Sequence, residues 1–104
     1  MTKRWIKLCD IKELEDNEIH AFDIENRHII AFIKDRRVHA LDGYCTHEEA
    51  DLKDGFLLED VIICPLHLSQ FNIFTGEVVN PPAEKPLKVY NIKLENSTIY
   101  IELD

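Results

Sequence analysis

The chain contains no apolar run approaching the ~18 residues that a membrane-spanning helix needs. Its opening, Met1-Thr2-Lys3-Arg4-Trp5-Ile6-Lys7-Leu8, is too short and too charged for a secretory signal, so a cytoplasmic protein is expected. Glycine is scarce, with 3 among 104 residues, proline numbers 4, and no repeat is present. Collagen-like, low-complexity and solenoid architectures are thereby excluded. Cysteine numbers 3, an odd count that builds no disulfide framework. In a reducing compartment, cysteine together with histidine points instead to metal ligation or catalysis. Basic residues are outnumbered 12 to 20, giving a formal charge of −8. That balance argues against nucleic acid and anionic membrane surfaces as partners, and leaves basic protein surfaces as the electrostatic match. Also missing is any 3.6-residue apolar period lasting beyond a turn or two.

What the chain does have is a succession of short β-type runs. Arg4 to Leu8 alternates, and Asp10 is placed to cap one helical turn over residues 11–14 through the free amides there. Residues 19–24, 27–34 and 37–41 follow at short spacing, separated by the polar pairs Glu25-Asn26 and Asp35-Arg36, so an antiparallel meander is expected. Near the end, 87–94 and 98–103 alternate on either side of Glu95-Asn96-Ser97, whose short polar side chains suit a tight turn. The fold class expected is all-β, a small antiparallel sandwich or barrel in one domain.

The texture changes over residues 43–86. All three glycines, all four prolines and two of the three cysteines lie there. Turn-formers concentrated in this way mark loops held to a fixed shape, where sites are usually built. Two fragments stand out, Cys45-Thr46-His47 and Cys64-Pro65-Leu66-His67, each pairing a sulfur with a nitrogen after a β-type run. A hairpin around Gly55 could bring their tips together. As a nucleophile, Cys64 would need an oriented base and a third group behind it, and two matching Cys–His pairs do not supply that. A Cys2His2 zinc site is chemically sound, although structural zinc sites more often group Cys with Cys and His with His. A two-iron, two-sulfide cluster with two imidazoles on one iron uses one sulfur and one nitrogen from each loop.

These fragments resemble the C-x-H … C-x-x-H pattern of the Rieske iron–sulfur proteins. The resemblance extends over nearly the whole chain, through Val38-His39-Ala40, Leu52, Gly55, Cys64-Pro65, Phe71-Asn72, Thr75-Gly76, Pro82-Ala83, Pro86-Leu87 and Tyr90. It implies a base β subdomain (1–42 and 87–104) and a small cluster-binding subdomain of two loops (about 43–86). It also implies one [2Fe-2S] cluster per chain, with Cys45 and Cys64 on the buried iron and His47 and His67 on the outer one. The oxidised cluster, with two ferric ions, two sulfides, two thiolates and neutral imidazoles, carries no net charge. An added electron is therefore held more easily than in an all-cysteine cluster.

Within the family the chain is similar to the small ferredoxins that carry electrons from a reductase to the terminal oxygenase of ring-hydroxylating systems, rather than to an enzyme. Two alternatives from other classes are a Rieske subunit of a larger complex, of the nitrite reductase small-subunit kind, and a zinc-stabilised binding module. Membrane-complex relatives carry an extra cysteine in each loop, and Glu49 and Leu66 stand at those positions here. Ser69 matches a hydroxyl that hydrogen-bonds the cluster in high-potential relatives, whereas Phe71 replaces the tyrosine that supplies a second donor. Pro81-Pro82-Ala83 resembles the proline loop that shields the cluster, which makes Pro82 a neighbour of the site. Seven acidic residues between Asp42 and Asp60 (Asp42, Glu48, Glu49, Asp51, Asp54, Glu59, Asp60) predict a negative rim for docking. Cys9 is expected to be a small strand residue, and His20, His28 and His39 surface or hydrogen-bonded histidines.

Overall fold

The run Ile29-Ile30-Ala31-Phe32 is apolar without alternation, which a strand tolerates only when both of its faces are covered. In the computed structural model, which describes residues 3–47 and 50–104, all four side chains are buried and point alternately into two separate cores. Ile29 and Ala31 join Leu8, Cys9, Ile99, Ile101 and Leu103 on one side, while Ile30 and Phe32 join Cys45, Leu52, Ile62, Cys64 and Phe71 on the other. The strand that carries them is the centre of the molecule.

Among the described residues, ten strands build three antiparallel sheets. β2 (His20–Ile24), β3 (Arg27–Lys34) and β4 (Arg37–Asp42) form the middle sheet in the order β2-β3-β4. β1 (Arg4–Asp10), β9 (Ile92–Glu95) and β10 (Thr98–Leu103) form a second sheet in the order β1-β10-β9, so the first and last strands are neighbours. The third sheet, β5 (Phe56–Leu58), β6 (Val61–Ile63), β7 (Gln70–Asn72) and β8 (Val78–Asn80), lies wholly in the central stretch. The architecture is all-β and antiparallel, as the alternation predicts. Among the described residues, no helix is long and apolar enough to cross a membrane.

The tight turns follow from their polar pairs. Glu25 and Asn26, Asp35 and Arg36, and Asn96 and Ser97 all have positive φ, the backbone twist that two-residue hairpins need. Asp10 caps a single 3-10 turn at Ile11–Glu13, with Glu13 reaching back to its amide. Two expectations change. Residues 87–91 are not part of a strand with Ile92, because they pass between sheets. The Leu87 amide bonds the Gly76 carbonyl at 2.8 Å, the Lys88 carbonyl accepts from Asp42 at 3.0 Å, and the Tyr90 amide reaches Ala40 at 2.9 Å. Nor does Gly55 form the hairpin turn, which lies at Glu59-Asp60 between β5 and β6. Gly55 is needed for close approach, since a Cβ there would stand 2.3 Å from the Ile63 carbonyl oxygen.

The histidines outside the motif are only partly satisfied, since the His39 ring meets the Ile73 backbone while one nitrogen of His39 and one of His20 lack a partner among the described residues. His39 is buried between Phe32 and Phe74, with its Nε2 lacking a hydrogen-bond partner among the described residues. Burial pushes its pKa down, so the ring stays neutral. The Nε2 of His20 is likewise buried and unpartnered among those residues.

Candidate metal centre

Each candidate ligand loop grows out of a strand end. The first leaves β4 and closes on itself by two backbone bonds, from the Leu52 amide to the Gly43 carbonyl (2.8 Å) and from the Cys45 amide to the Ala50 carbonyl (2.9 Å). The second joins β6 to β7, with the Cys64 amide bonded to the Ser69 carbonyl at 2.8 Å. At its tip His67 and Leu68 both have positive φ, of 65° and 61°. Left-handed backbone costs a non-glycine residue roughly 1–2 kcal/mol, and here it turns the imidazole outward. Glu48 and Glu49 lie outside the described residues.

The four candidate ligands divide by burial. Cys45 and Cys64 are 4% and 1% exposed and belong to the same core, and neither is in a disulfide. His47 and His67 are exposed, and their rings face each other edge to face with centroids 5.7 Å apart. The two loops are thus brought together with sulfur inside and nitrogen outside. This donor set fits a [2Fe-2S] cluster ligated by two thiolates and two imidazoles, in which soft sulfur ligands lie in apolar surroundings and the imidazoles lie toward solvent.

A third segment ties the two loops together. The hydroxyl of Ser69, which is completely buried, accepts the Ala83 amide at 2.9 Å. The Thr46 hydroxyl donates to the Lys85 carbonyl at 2.6 Å. Residues 82–85 are therefore strapped to both loops, and Pro82 lines a cleft of about 280 Å³ with Thr46, His47, Glu84 and Lys85. The sequence places Ala83 in the shielding loop but does not show its bond to Ser69, which is made by its backbone amide, and Thr46 is an ordinary residue between two candidate ligands.

The charges are placed differently from their count. Asp42 accepts the Tyr90 hydroxyl at 2.5 Å, and Asp51 bonds His28. Glu59 and Asp60 form the β5–β6 turn, at the opposite end of β6 from Cys64. Around the imidazole of His67 the exposed neighbours are instead Leu66 and Leu68, 43% and 56% exposed. Leu66 and Leu68 thus add exposed apolar surface on either side of His67 in the chain. Cys9 is buried in the other core, where burial, followed by Glu13 and Asp10, raises its thiol pKa to about 11.

Known proteins supply the comparison. The family model of the Rieske [2Fe-2S] domain matches residues 4–91. The ferredoxin component of the naphthalene 1,2-dioxygenase system of Pseudomonas aeruginosa is 30% identical over 103 residues, covering 99% of each chain. The solved ferredoxin of Sphingomonas yanoikuyae B1 superposes with a TM-score of 0.90 at 28% identity, over 97% of this chain and 100% of that one. A structure of reduced oxygenase with oxidised ferredoxin from carbazole 1,9a-dioxygenase contains a chain similar at a TM-score of 0.86 and 28% identity, covering 93% and 91%. With buried thiols and outward imidazoles at the loop tips and a family match spanning most of its length, this chain belongs to the Rieske [2Fe-2S] domain family.

Proposed function

We propose that the chain is a cytoplasmic one-electron carrier that takes electrons from a reductase and delivers them to a terminal oxygenase, with a Rieske [2Fe-2S] cluster held by Cys45, His47, Cys64 and His67. The observation that carries this reading is the pairing of exposed His47 and His67, at 5.7 Å, above two buried thiols. Bound there, the cluster supplies a one-electron couple, tuned by hydrogen bonds to its sulfurs and by solvent exposure. The buried cysteines keep water from the inner side. The two imidazoles meet the partner, and Leu66 and Leu68 frame His67 with apolar surface that a docking protein can cover. Relatives of this length and similarity are ferredoxin components of oxygenase systems, one of them solved with its oxygenase.

The test is analysis of the protein reconstituted with iron and sulfide. About two irons and two acid-labile sulfides per chain are expected, with a reduced-state paramagnetic resonance spectrum showing mixed nitrogen and sulfur ligation. The reduced protein should then be reoxidised on mixing with a ring-hydroxylating oxygenase. Binding of zinc without retention of iron, or an iron centre that no oxygenase reoxidises, would refute the reading.

Ser69 has two tasks in this arrangement. Its oxygen accepts the Ala83 amide, which leaves its own proton available to the cluster side of the loop. Ser69→Ala is expected to lower the reduction potential, because one donor to the reduced centre is lost. It should also destabilise the fold by about 1–3 kcal/mol, since the buried Ala83 amide loses its acceptor. Voltammetry and urea unfolding read the two effects separately. An unchanged potential beside reduced stability would restrict Ser69 to the strap.

A further inference from the structure

His28 lies on β3, outside the ligand loops, yet it touches both ends of the first one. Its backbone carbonyl accepts the Gly43 amide at 2.8 Å. Its ring lies so close to Gly43 that a Cβ there would stand 2.3 Å from Cδ2. Tyr44 stacks on the ring with centroids 4.5 Å apart. At the far end of the loop, His28 Nε2 meets Asp51 Oδ1 at 2.9 Å, and Asp51 is bridged to Tyr44 across the loop's base. On the other side, Nδ1 meets Asp23 Oδ1 of β2 at 2.7 Å. The charged groups facing the ring are thus Asp23 from β2 and Asp51 from the loop, while Tyr44 covers one face.

We propose that His28 is the positioning residue of the first ligand loop, its ring clasped between Asp23 and Asp51 so that the middle sheet fixes where Cys45 and His47 stand. The clasp requires a particular protonation state. Ionised carboxylates only accept hydrogen bonds, so both ring nitrogens must carry protons, as in the imidazolium. A neutral ring would aim a lone pair at one carboxylate. Burial alone would lower the pKa of this ring, but the hydrogen bonds and charges of Asp23 and Asp51 outweigh it and raise it. The stabilisation is complete below the ordinary imidazole value near 6.5 and is lost as pH rises through the raised one. Loop order, and with it cluster retention, should therefore weaken toward alkaline pH through this one ring.

The inference rests on the proposed ligand set, and the experiment separates the two. The half-life of visible cluster absorbance under an iron chelator is measured from about pH 6 to about pH 9.5 in the wild type, His28→Phe and Asp51→Asn. The phenylalanine ring keeps the packing on Gly43 and Tyr44 and removes both hydrogen bonds. At about pH 6 the wild type should outlast His28→Phe roughly tenfold, the scale of one lost charged hydrogen bond. That ratio should fall toward one as the pH rises. A purely structural role would give a ratio independent of pH, and such a result, or a ratio near one at about pH 6, would overturn the proposal. If His28→Phe does not fold, Asp51→Asn makes the same test from the loop side, and wild-type retention in that variant would also overturn it. Amide exchange over residues 43–52 in the cluster-free protein provides a readout independent of the ligands. Faster exchange in Asp51→Asn than in the wild type at about pH 6 is expected, and equal exchange counts against the clasp. A wild type that holds no iron would refute the ligand set but leave the exchange test of His28 standing.

Discussion

Cys64→Ser is expected to abolish cluster binding, while Cys9→Ser leaves iron content at about two per chain. Both cysteines are buried, at 1% and 3% exposed, so burial does not distinguish them. Their surroundings do. Cys64 shares its core with Cys45 at the base of the two facing loops, whereas Cys9 sits among Leu8, Ile99 and Ile101 in the other core. There burial and two nearby carboxylates raise its thiol to about 11, so the thiolate that a metal requires is strongly disfavoured.

With the proposed ligand set, serine at position 64 would replace a soft sulfur by a hard oxygen that does not ionise near neutral pH, and one iron would lose its anionic ligand. The change is nearly isosteric, so the cluster-free fold should lose only about 1–2 kcal/mol. Iron analysis, visible absorbance and far-ultraviolet circular dichroism on the two variants decide the matter. Stoichiometric iron in Cys64→Ser, or its loss in Cys9→Ser, would mean that the ligands are misassigned.

The sequence made some parts of this molecule legible because they depend on neighbours in the chain. Strand 98–103 alternates, and strand 27–34 carries an unbroken apolar run between polar ends, each over enough residues to be read. The pairs Glu25-Asn26, Asp35-Arg36 and Asn96-Ser97 announce their turns because short polar or charged residues bear positive φ there. The candidate ligands are also local patterns, two residues apart in one loop and three in the other. What escaped depends on approach in space. β7 and β8 are three residues each, too short for any period. Gly55 looked like a turn residue, but its missing side chain answers to the Ile63 carbonyl. The clasp joins His28 to residues 5 positions earlier and 23 later, and the Ser69–Ala83 bond spans 14. A count of charges between Asp42 and Asp60 does not say where each points, and folding directs Asp42 to Tyr90 and Asp51 to His28, while Glu48 and Glu49 lie outside the described residues.

Gly76→Ala should cause the largest loss of stability of any single methyl added to this chain's glycines. Its φ is +79°, which strains any residue with a Cβ, and the added carbon would lie 2.0 Å from the Leu87 carbonyl oxygen. The obstacle is backbone, so no side-chain rotation relieves it. Gly76 also donates its amide to Asn72 and accepts the Leu87 amide, each at 2.8 Å. Making room for a methyl group therefore means pulling apart the two strands of chain that these bonds join. A cost of at least about 3 kcal/mol is expected, or a fall in Tm of roughly 10–20 °C for a domain of this size. The damage should reach the candidate metal centre as well, because Leu87 follows closely on residues 82–85, which Ser69 and Thr46 strap down. Cluster loss under a chelator should accelerate in Gly76→Ala at temperatures where the protein is still folded. Thermal unfolding within about 1 kcal/mol of the wild type would show that residues 72–87 separate easily, and that the strap over the two candidate ligand loops is not anchored through Gly76.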